Sequence, residues 1–163
     1  KVFYMTQISK HFSLQEIISS GTASRLGLDN TPNEEQIENL KALCENILEP
    51  LREYYESRII ITSGFRSEKL SEAIGSSSKS QHCAKDGSAA IDFEIPGFDN
   101  RQVAAHIKNN FLYDQLISEY YEDGIPDSGW IHVSYKKDGT NRKESLTKNK
   151  GENYAIWNRN LRN

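Results

Sequence analysis

Cysteine is scarce in this sequence, and its scarcity excludes one class of small domains. The chain has only two cysteines, Cys44 and Cys83, so disulfide bridges cannot form the framework of the fold. Cys44 lies within an apolar helical pattern, where a buried thiol is the usual state. With 163 residues, the chain is long enough to bury a core without disulfides, and we expect a single domain.

Long apolar runs and an excess of basic charge are also missing. No stretch is long enough to cross a membrane, and no basic segment followed by an apolar one opens the chain, so neither a transmembrane segment nor a signal peptide is predicted. The net charge of −3 gives no electrostatic argument for a nucleic-acid partner. From Lys136 onward, eight Lys/Arg face three Asp/Glu, which fits either binding to an anionic polymer such as a cell wall or a solvated tail.

Capping patterns and apolar spacing predict the helices. The segments 13–16 and 31–34 both fit a capping box, with Ser13 and Thr31 as the caps, and 99–102 is a weaker example. Apolar residues then recur at helical spacing from Ile37 to Tyr55. This pattern predicts a long helix that Pro50 kinks or restarts.

Short β-branched and aromatic runs predict a small sheet. The predicted strands are RIIIT (58–62), AAIDFEI (89–95), YDQLISEYY (113–121) and WIHVSY (130–135), with further helices near 68–74 and over 100–110. The fold class is therefore α+β, with N-terminal helices packed on a small antiparallel sheet. The main domain would span 1–135, and YAIW at 154–157 would dock the basic extension 136–163 onto it.

Two histidines and one aspartate lie in unusually apolar surroundings. His82 precedes the strand that holds Asp92, and His132 lies within WIHVSY. Such residues are unfavourable inside a strand unless they have partners. Two imidazoles and one carboxylate form a common open zinc set, but hydrogen-bonded structural residues are the alternative, because the spacing follows no short helical motif. His11 and His106 are expected at the surface.

The order of several short motifs resembles one peptidase family. HFSLQEIISSGTASRLGLDN is followed by SGFRS, SQH, AAIDF, YDQLISE and WIHVS. Over 11–135 this order is similar to the M15-type zinc D-Ala-D-Ala carboxypeptidases and phage L-alanyl-D-glutamate endolysins, whose fold the hedgehog signalling domain shares. The resemblance implies a sheet that carries one zinc ion, held by His82, Asp92 and His132. It also implies that Arg66 faces the substrate's carboxylate or the oxygen that develops negative charge, although pairing with a local acid is the alternative.

The resemblance leaves the proton-transferring residue open. A carboxylate must take a proton from water and give it to the leaving amine, and the family places it before the last histidine. Glu119, at the matching strand end, is favoured over Asp127, and Glu122 is a third candidate. Three further residues are predicted to contact substrate or to shape the cavity: Ser80, Gln81 and Trp130.

The spacing of the implied ligands departs from the family pattern. That pattern is S-x-H-x-x-G-x-A-x-D, whereas this chain reads SQHCAKDGSAAID, with ten positions from His82 to Asp92. The longer loop is compatible with the same site if it bulges outward, and Gly87 can supply the turn. Asp86 is the alternative carboxylate ligand, and Cys83 is an alternative thiolate ligand.

The resemblance implies a monomeric enzyme that uses zinc to hydrolyse an amide bond in peptidoglycan stem peptides, of the D-Ala-D-Ala carboxypeptidase or L-Ala-D-Glu endopeptidase type. In the absence of a signal peptide, we expect it in the host cytoplasm until phage lysis, or associated with the virion. The alternative is a catalytically inactive zinc-binding module for cell-wall binding or virion assembly, which the altered spacing favours. A metal-independent glycosidase would leave the histidines and Asp92 unexplained.

Overall fold

The helices of the protein are short and come mostly from the first half of the chain. A computed structural model describes residues 6–157. Its helices are α1 (Leu14–Ile18), α2 (Gly21–Leu26), α3 (Glu34–Leu43), α4 (Glu49–Tyr55), α5 (Glu68–Ala73) and α6 (Asn100–Asn110), with a π-helical turn at Cys44–Leu48 and a 3-10 turn at Gln81–Cys83. None of the helices within 6–157 is long and apolar enough to cross a membrane.

Two of the three predicted helix caps are confirmed and one is wrong. Ser13 caps α1 in a complete capping box, and the Asp99 side chain caps α6. Thr31 does not cap α3, because the helix begins later, after Asn33. The Asn33 side chain accepts from the backbone N–H of Gln36 at 2.9 Å, and the Gln36 side chain accepts from the Asn33 N–H at 2.8 Å. Asparagine is a stronger cap than threonine, and Gln36 completes the box.

The helices α3 and α4 and the π turn between them form one helical run that buries the predicted apolar stripe. Six of its side chains are fully buried: Leu40, Leu43, Cys44, Ile47, Leu48 and Leu51. Burial raises the pKa of the Cys44 thiol. The predicted irregularity at Pro50 takes the form of the π turn, in which the N–H of Glu49 bonds the Cys44 carbonyl. A proline just after this point lacks the N–H that a regular helix would use.

Between residues 6 and 157, six strands form one sheet, and the α+β fold class is confirmed. The strands are β1 (Ile60–Ser63), β2 (Ser88–Glu94), β3 (Gln115–Glu119), β4 (Trp130–Lys136), β5 (Glu144–Lys148) and β6 (Ala155–Ile156), in the spatial order β1-β2-β4-β3-β5-β6. All neighbouring pairs are antiparallel except β3 and β5, which are parallel. No pattern in the sequence predicted β5. After β4 the chain reverses direction, crosses to the far side of β3 and pairs there as β5.

One face of the sheet packs on helices, and the opposite face carries the polar residues of interest. Helix α3 packs on β2 and β4, and α6 packs on β3 and β4. The core on that side includes Ile91, Phe93, Leu116, Ile131 and Val133. Successive side chains along a strand point to opposite faces. The residues that alternate with this core therefore point away from the helices: Asp92, Ile117, Glu119 and His132.

Candidate active site

Asp92 and His132 come from neighbouring strands and lie directly opposite each other. The register of the antiparallel β2–β4 pair sets Asp92 against His132. His82 reaches the same point from the 3-10 turn that precedes β2. The ligand atoms of the three side chains lie within 4.8 Å of one another, and all three residues are buried. The structure thus brings together the three residues predicted to hold a metal.

The ring of His82 is oriented by a backbone carbonyl. Its Nδ1 lies 2.8 Å from the Gly64 carbonyl oxygen, which can only accept, so Nδ1 carries the proton and Nε2 keeps a free lone pair. Burial lowers the pKa of His82 despite the opposing effect of Asp92. The hydrogen bond to Gly64 turns Nε2 of His82 toward the site, and burial keeps the imidazole neutral. A neutral imidazole with a free Nε2 is the form that binds a metal.

Asp92 is shared between the two histidines. Its Oδ1 lies 3.3 Å from Nε2 of His82 and 2.9 Å from Nδ1 of His132. Burial alone would raise the pKa of Asp92, but the hydrogen bond from His132, together with the nearby His82 ring, outweighs burial and lowers the pKa. The carboxylate is therefore ionised over the whole physiological range, as a metal ligand must be.

The three side chains could hold a single metal ion. Two imidazole nitrogens and one carboxylate oxygen are a common donor set for zinc sites that keep a position open, and here one buried oxygen faces both ring nitrogens. Among the described residues, the alternative ligands Cys83 and Asp86 are not part of this group. Cys83 is buried with its thiol against Ser71, and Asp86 is exposed.

Arg66 stands beside the three-residue group and forms a long ion pair with Asp92. Its Nη2 and Nε lie 2.8 Å and 3.2 Å from the Ser63 hydroxyl, and Nη2 is 3.7 Å from Oδ2 of Asp92. Its backbone N–H also donates to the His82 carbonyl at 3.0 Å. The guanidinium is held next to the group and has donors left for an anion or an oxyanion.

Glu119 is the acid that shares this face of the sheet. It ends β3, opposite Trp130, and burial followed by the nearby Asp92 carboxylate raises its pKa. The other two candidates for proton transfer, Asp127 and Glu122, are exposed in the loop between β3 and β4, and neither lines the cavity around the histidines. Glu119 is therefore the one of the three candidate acids that is partly buried and lines the cavity.

A cavity of about 460 Å³ connects these side chains. Eight of the predicted site residues line it, and the candidate acids Asp127 and Glu122 do not: Arg66, Ser80, Gln81, His82, Asp92, Glu119, Trp130 and His132. Six lining residues were not predicted: Ser76, Lys79, Gln115, Ile117, Arg142 and Tyr154. The period of two along β3 could have found Gln115 and Ile117. Arg142 lies in a polar segment without a local signal, and Tyr154 begins the YAIW segment, which predicted docking on the domain but not a place in the site.

The other two histidines lie away from this cavity. His11 is exposed, as predicted, and its Nδ1 lies 2.6 Å from Glu49 beside a larger open cavity of about 780 Å³. Hydrogen bonding to His11 lowers the pKa of Glu49 although burial opposes the shift. His106 is half-buried rather than exposed, because it stacks on Tyr54 at 4.0 Å between ring centroids.

Comparison with known families agrees with this geometry. The model of the family described as Peptidase M15 matches residues 10–134. The chain belongs to the peptidase M15 family. The matched segment includes all three residues of the group together with Arg66 and Glu119. Membership implies a peptidase, in a family that is typically metal-dependent, and the His82, Asp92 and His132 group is a possible metal site. No curated protein and no solved structure matched the chain.

Proposed function

We propose that this M15 peptidase uses zinc to hydrolyse an amide bond in peptidoglycan stem peptides, as a D-Ala-D-Ala carboxypeptidase or an L-Ala-D-Glu endopeptidase. The observation that carries the proposal is the convergence of His82, Asp92 and His132 at a cavity that Glu119 and Arg66 also line. Its volume suits a small peptide segment. A role in phage-type lysis of the cell wall, by a monomer, belongs to the same proposal.

The three buried side chains would hold the zinc ion, and the remaining residues would handle protons and charge. When bound, zinc supplies a Lewis acid that polarises a carbonyl and makes water more acidic. Glu119 takes the proton of the attacking water and delivers it to the leaving amine; its raised pKa suits both directions of transfer. Arg66 stabilises the developing negative charge or binds the substrate's carboxylate. Ser80, Gln81 and Trp130 would contact the peptide.

The choice of Glu119 over Asp127 rests on position. Glu119 lies on the cavity face of β3, whereas Asp127 is exposed outside the cavity. A general base must come within hydrogen-bond reach of the proton that it removes, directly or through one water. Asp127 would need a rearrangement of its loop to meet that condition.

The experiment is mass spectrometry of purified stem peptides after incubation with zinc-loaded protein. We expect cleaved stems, with product masses that identify the bond. His132→Ala should lose cleavage together with zinc, and Glu119→Gln should lose cleavage while it keeps stoichiometric zinc. Asp127→Asn is the matched control that should retain activity. Intact stems with the wild-type protein would overturn the proposal.

The second candidate is a zinc-binding module without catalysis, for cell-wall binding or virion assembly. The observation that favours it is the longer spacing between His82 and Asp92. Intact stems beside one bound zinc ion, and retention of the intact protein on insoluble peptidoglycan, would support this function. Neither Glu119→Gln nor Asp127→Asn should then alter the retention.

A further inference from the structure

The cavity continues along β3 beyond the three-residue group and ends at a second arginine. Gln115, Ile117 and Glu119 alternate along one face of β3 and all line the cavity. Ile117 pairs with His132, so the metal group lies level with the middle of the strand. Arg142 lines the cavity as well and lies outside the 10–134 segment that the family model matches.

Arg142 is held in place by a fully buried acid. Asp114, just before β3, has no exposed surface. Its Oδ2 accepts from Nη2 of Arg142 at 2.8 Å, and its Oδ1 accepts from Nε at 3.1 Å and from the Arg142 backbone N–H at 3.1 Å. Gln81 donates to the same carboxylate at 2.8 Å. A buried carboxylate with this many donors fixes the arginine as a rigid fork.

The backbone around Arg142 is fixed to the start of β3 as well. The N–H of Lys143 donates to the Tyr113 carbonyl at 3.0 Å, and the N–H of Glu144 donates to the Asp114 carbonyl at 3.0 Å. These bonds begin the parallel β3–β5 pairing, in which Gln115 lies opposite Glu144. The guanidinium therefore projects from a segment that is fixed to the sheet just before β5, and not from a free loop.

One edge of the guanidinium is left for a ligand. The Asp114 carboxylate uses Nε and Nη2, and among residues 6–157 no hydrogen bond involves Nη1. The side chain is half exposed. Lys136 lies 3.7 Å from Asp114, so two cations surround one buried anion. Glu144 is a second acid near Arg142, so the attraction for an anion comes from the free Nη1 edge of Arg142 and not from a net positive charge.

We propose that Arg142 binds a carboxylate of the substrate peptide, roughly two to three residues from the cleaved bond, and that Asp114 is the residue that positions it. The distance follows from the strand: Asp114 precedes Ile117 by three positions, which is about 10 Å at the rise of a β-strand. An extended peptide covers about the same length in three residues. The inference rests on the proposed function, since it takes this cavity as the site of cleavage.

The test compares pairs of peptides that differ only in one group. Each pair carries a carboxylate or a carboxamide at one position, and the series moves this group along the stem peptide on both sides of the cleaved bond. At the matching position, Arg142→Gln should raise KM about 10- to 100-fold for the acid peptide, the size of a lost charged hydrogen bond. kcat for the acid peptide and both constants for the amide should stay the same. Lys143→Gln removes the neighbouring charge, which does not line the cavity, and should change neither peptide.

Two further variants separate binding from folding. Arg142→Lys keeps a cation beside Asp114 but removes the fork, so it should fold and still lose most of the preference for the acid peptide. Asp114→Asn should lower the same preference while the bound zinc stays stoichiometric. The inference would be overturned if the Arg142 variants raised KM equally for the acid and amide peptides, or if they raised KM at no position of the series. If Asp114→Asn kept the whole preference for the acid peptide over the amide peptide, Asp114 would not be the residue that positions Arg142.

The inference can fail separately from the proposed function. If the wild-type protein cleaves no stem peptide, the proposed function is wrong, and calorimetric titration of the zinc-loaded protein with the same peptide pairs tests Arg142 directly. Weaker binding of only the acid peptide to Arg142→Gln supports the inference, and equal binding refutes it. If the wild type cleaves and the acid and amide peptides behave alike, only the inference is wrong.

Discussion

A single methyl group added at Gly64 should damage the candidate metal site although Gly64 is not a ligand. A Cβ atom at this position would lie 2.1 Å from the Ile17 carbonyl oxygen and 2.9 Å from its carbonyl carbon. Close contacts between carbon and oxygen are about 3.3–3.6 Å, so the two backbones would have to separate by about 1.2 Å or more. Both segments are fixed, because the Phe65 N–H donates to the same oxygen at 2.8 Å.

The size of the effect follows from two contributions. Overpacking of this kind destabilises a protein by about 1–3 kcal/mol, which lowers Tm by about 2–12 °C for a domain of this size. The Gly64 carbonyl also orients His82 through Nδ1. Loss of such an outer contact to a metal-binding histidine typically lowers metal affinity about 10- to 100-fold. Gly64→Ala should therefore reduce both stability and zinc affinity.

Calorimetry of the zinc-loaded protein measures Tm, and competition with a chromophoric chelator measures zinc affinity. The matched control is Gly21→Ala, whose Cβ would meet only the Arg25 side chain, at 3.8 Å, and both readouts should stay near wild type. A lower Tm with unchanged zinc affinity would refute the role of Gly64 in orienting His82. An unchanged Tm would refute the packing argument itself.

The other predictions concern the acids and one buried amide. Glu119→Gln should lower kcat by about 10²- to 10⁴-fold with zinc retained, and Asp127→Asn should stay within about twofold, in assays of stem-peptide cleavage. The pKa of Asp114 is lowered because its bonds to Arg142 and Gln81 outweigh burial. The ionised Asp114 therefore stabilises the fold fully above the unfolded-state pKa of about 3.9, and this stabilisation is lost as the pH falls below that value. On acidification from about pH 6 to 3, the Tm of the wild-type protein should fall further than the Tm of Asp114→Asn. Asn39→Ala leaves a buried carbonyl unpaired and should cost about 1–3 kcal/mol in urea unfolding, more than Asn46→Ala, which removes an exposed bond within the helix.

The parts of the fold that the sequence predicted are those with a local pattern. The stripe from Leu40 to Leu51 repeats at helical spacing and is fully buried, and the strands around Asp92 and His132 are apolar runs that the sheet buries. A polar residue inside such a run stands out against its neighbours. The family motifs then gave the grouping of His82 with these two, which no spacing rule supplies.

The parts that the sequence did not predict depend on contacts between distant segments. The strand β5 reads ESLTK, a polar sequence at which no periodicity stands out, and it is ordered by parallel pairing with β3. The ion pair of Asp114 with Arg142 joins residues that are 28 positions apart. Asp114 was visible only as the second residue of a predicted strand. Local propensity cannot report such contacts, because each partner alone looks like an ordinary surface residue.

The long spacing between His82 and Asp92 is accommodated outside the site. After His82, the chain makes a compact turn in which Ala84, Asp86 and Gly87 all adopt positive φ angles. The base of this turn is held from α3, where Gln36 donates to the Cys83 carbonyl at 3.0 Å and Asn39 donates to the Ala84 carbonyl at 2.9 Å. Because these anchors follow His82 directly, Cys83 and Ala84 stay buried, the outer part of the turn at Asp86 is exposed, and His82 stays in place. The altered spacing therefore gives no geometric reason for the loss of the candidate metal site, which an enzyme and a zinc-binding module would both keep.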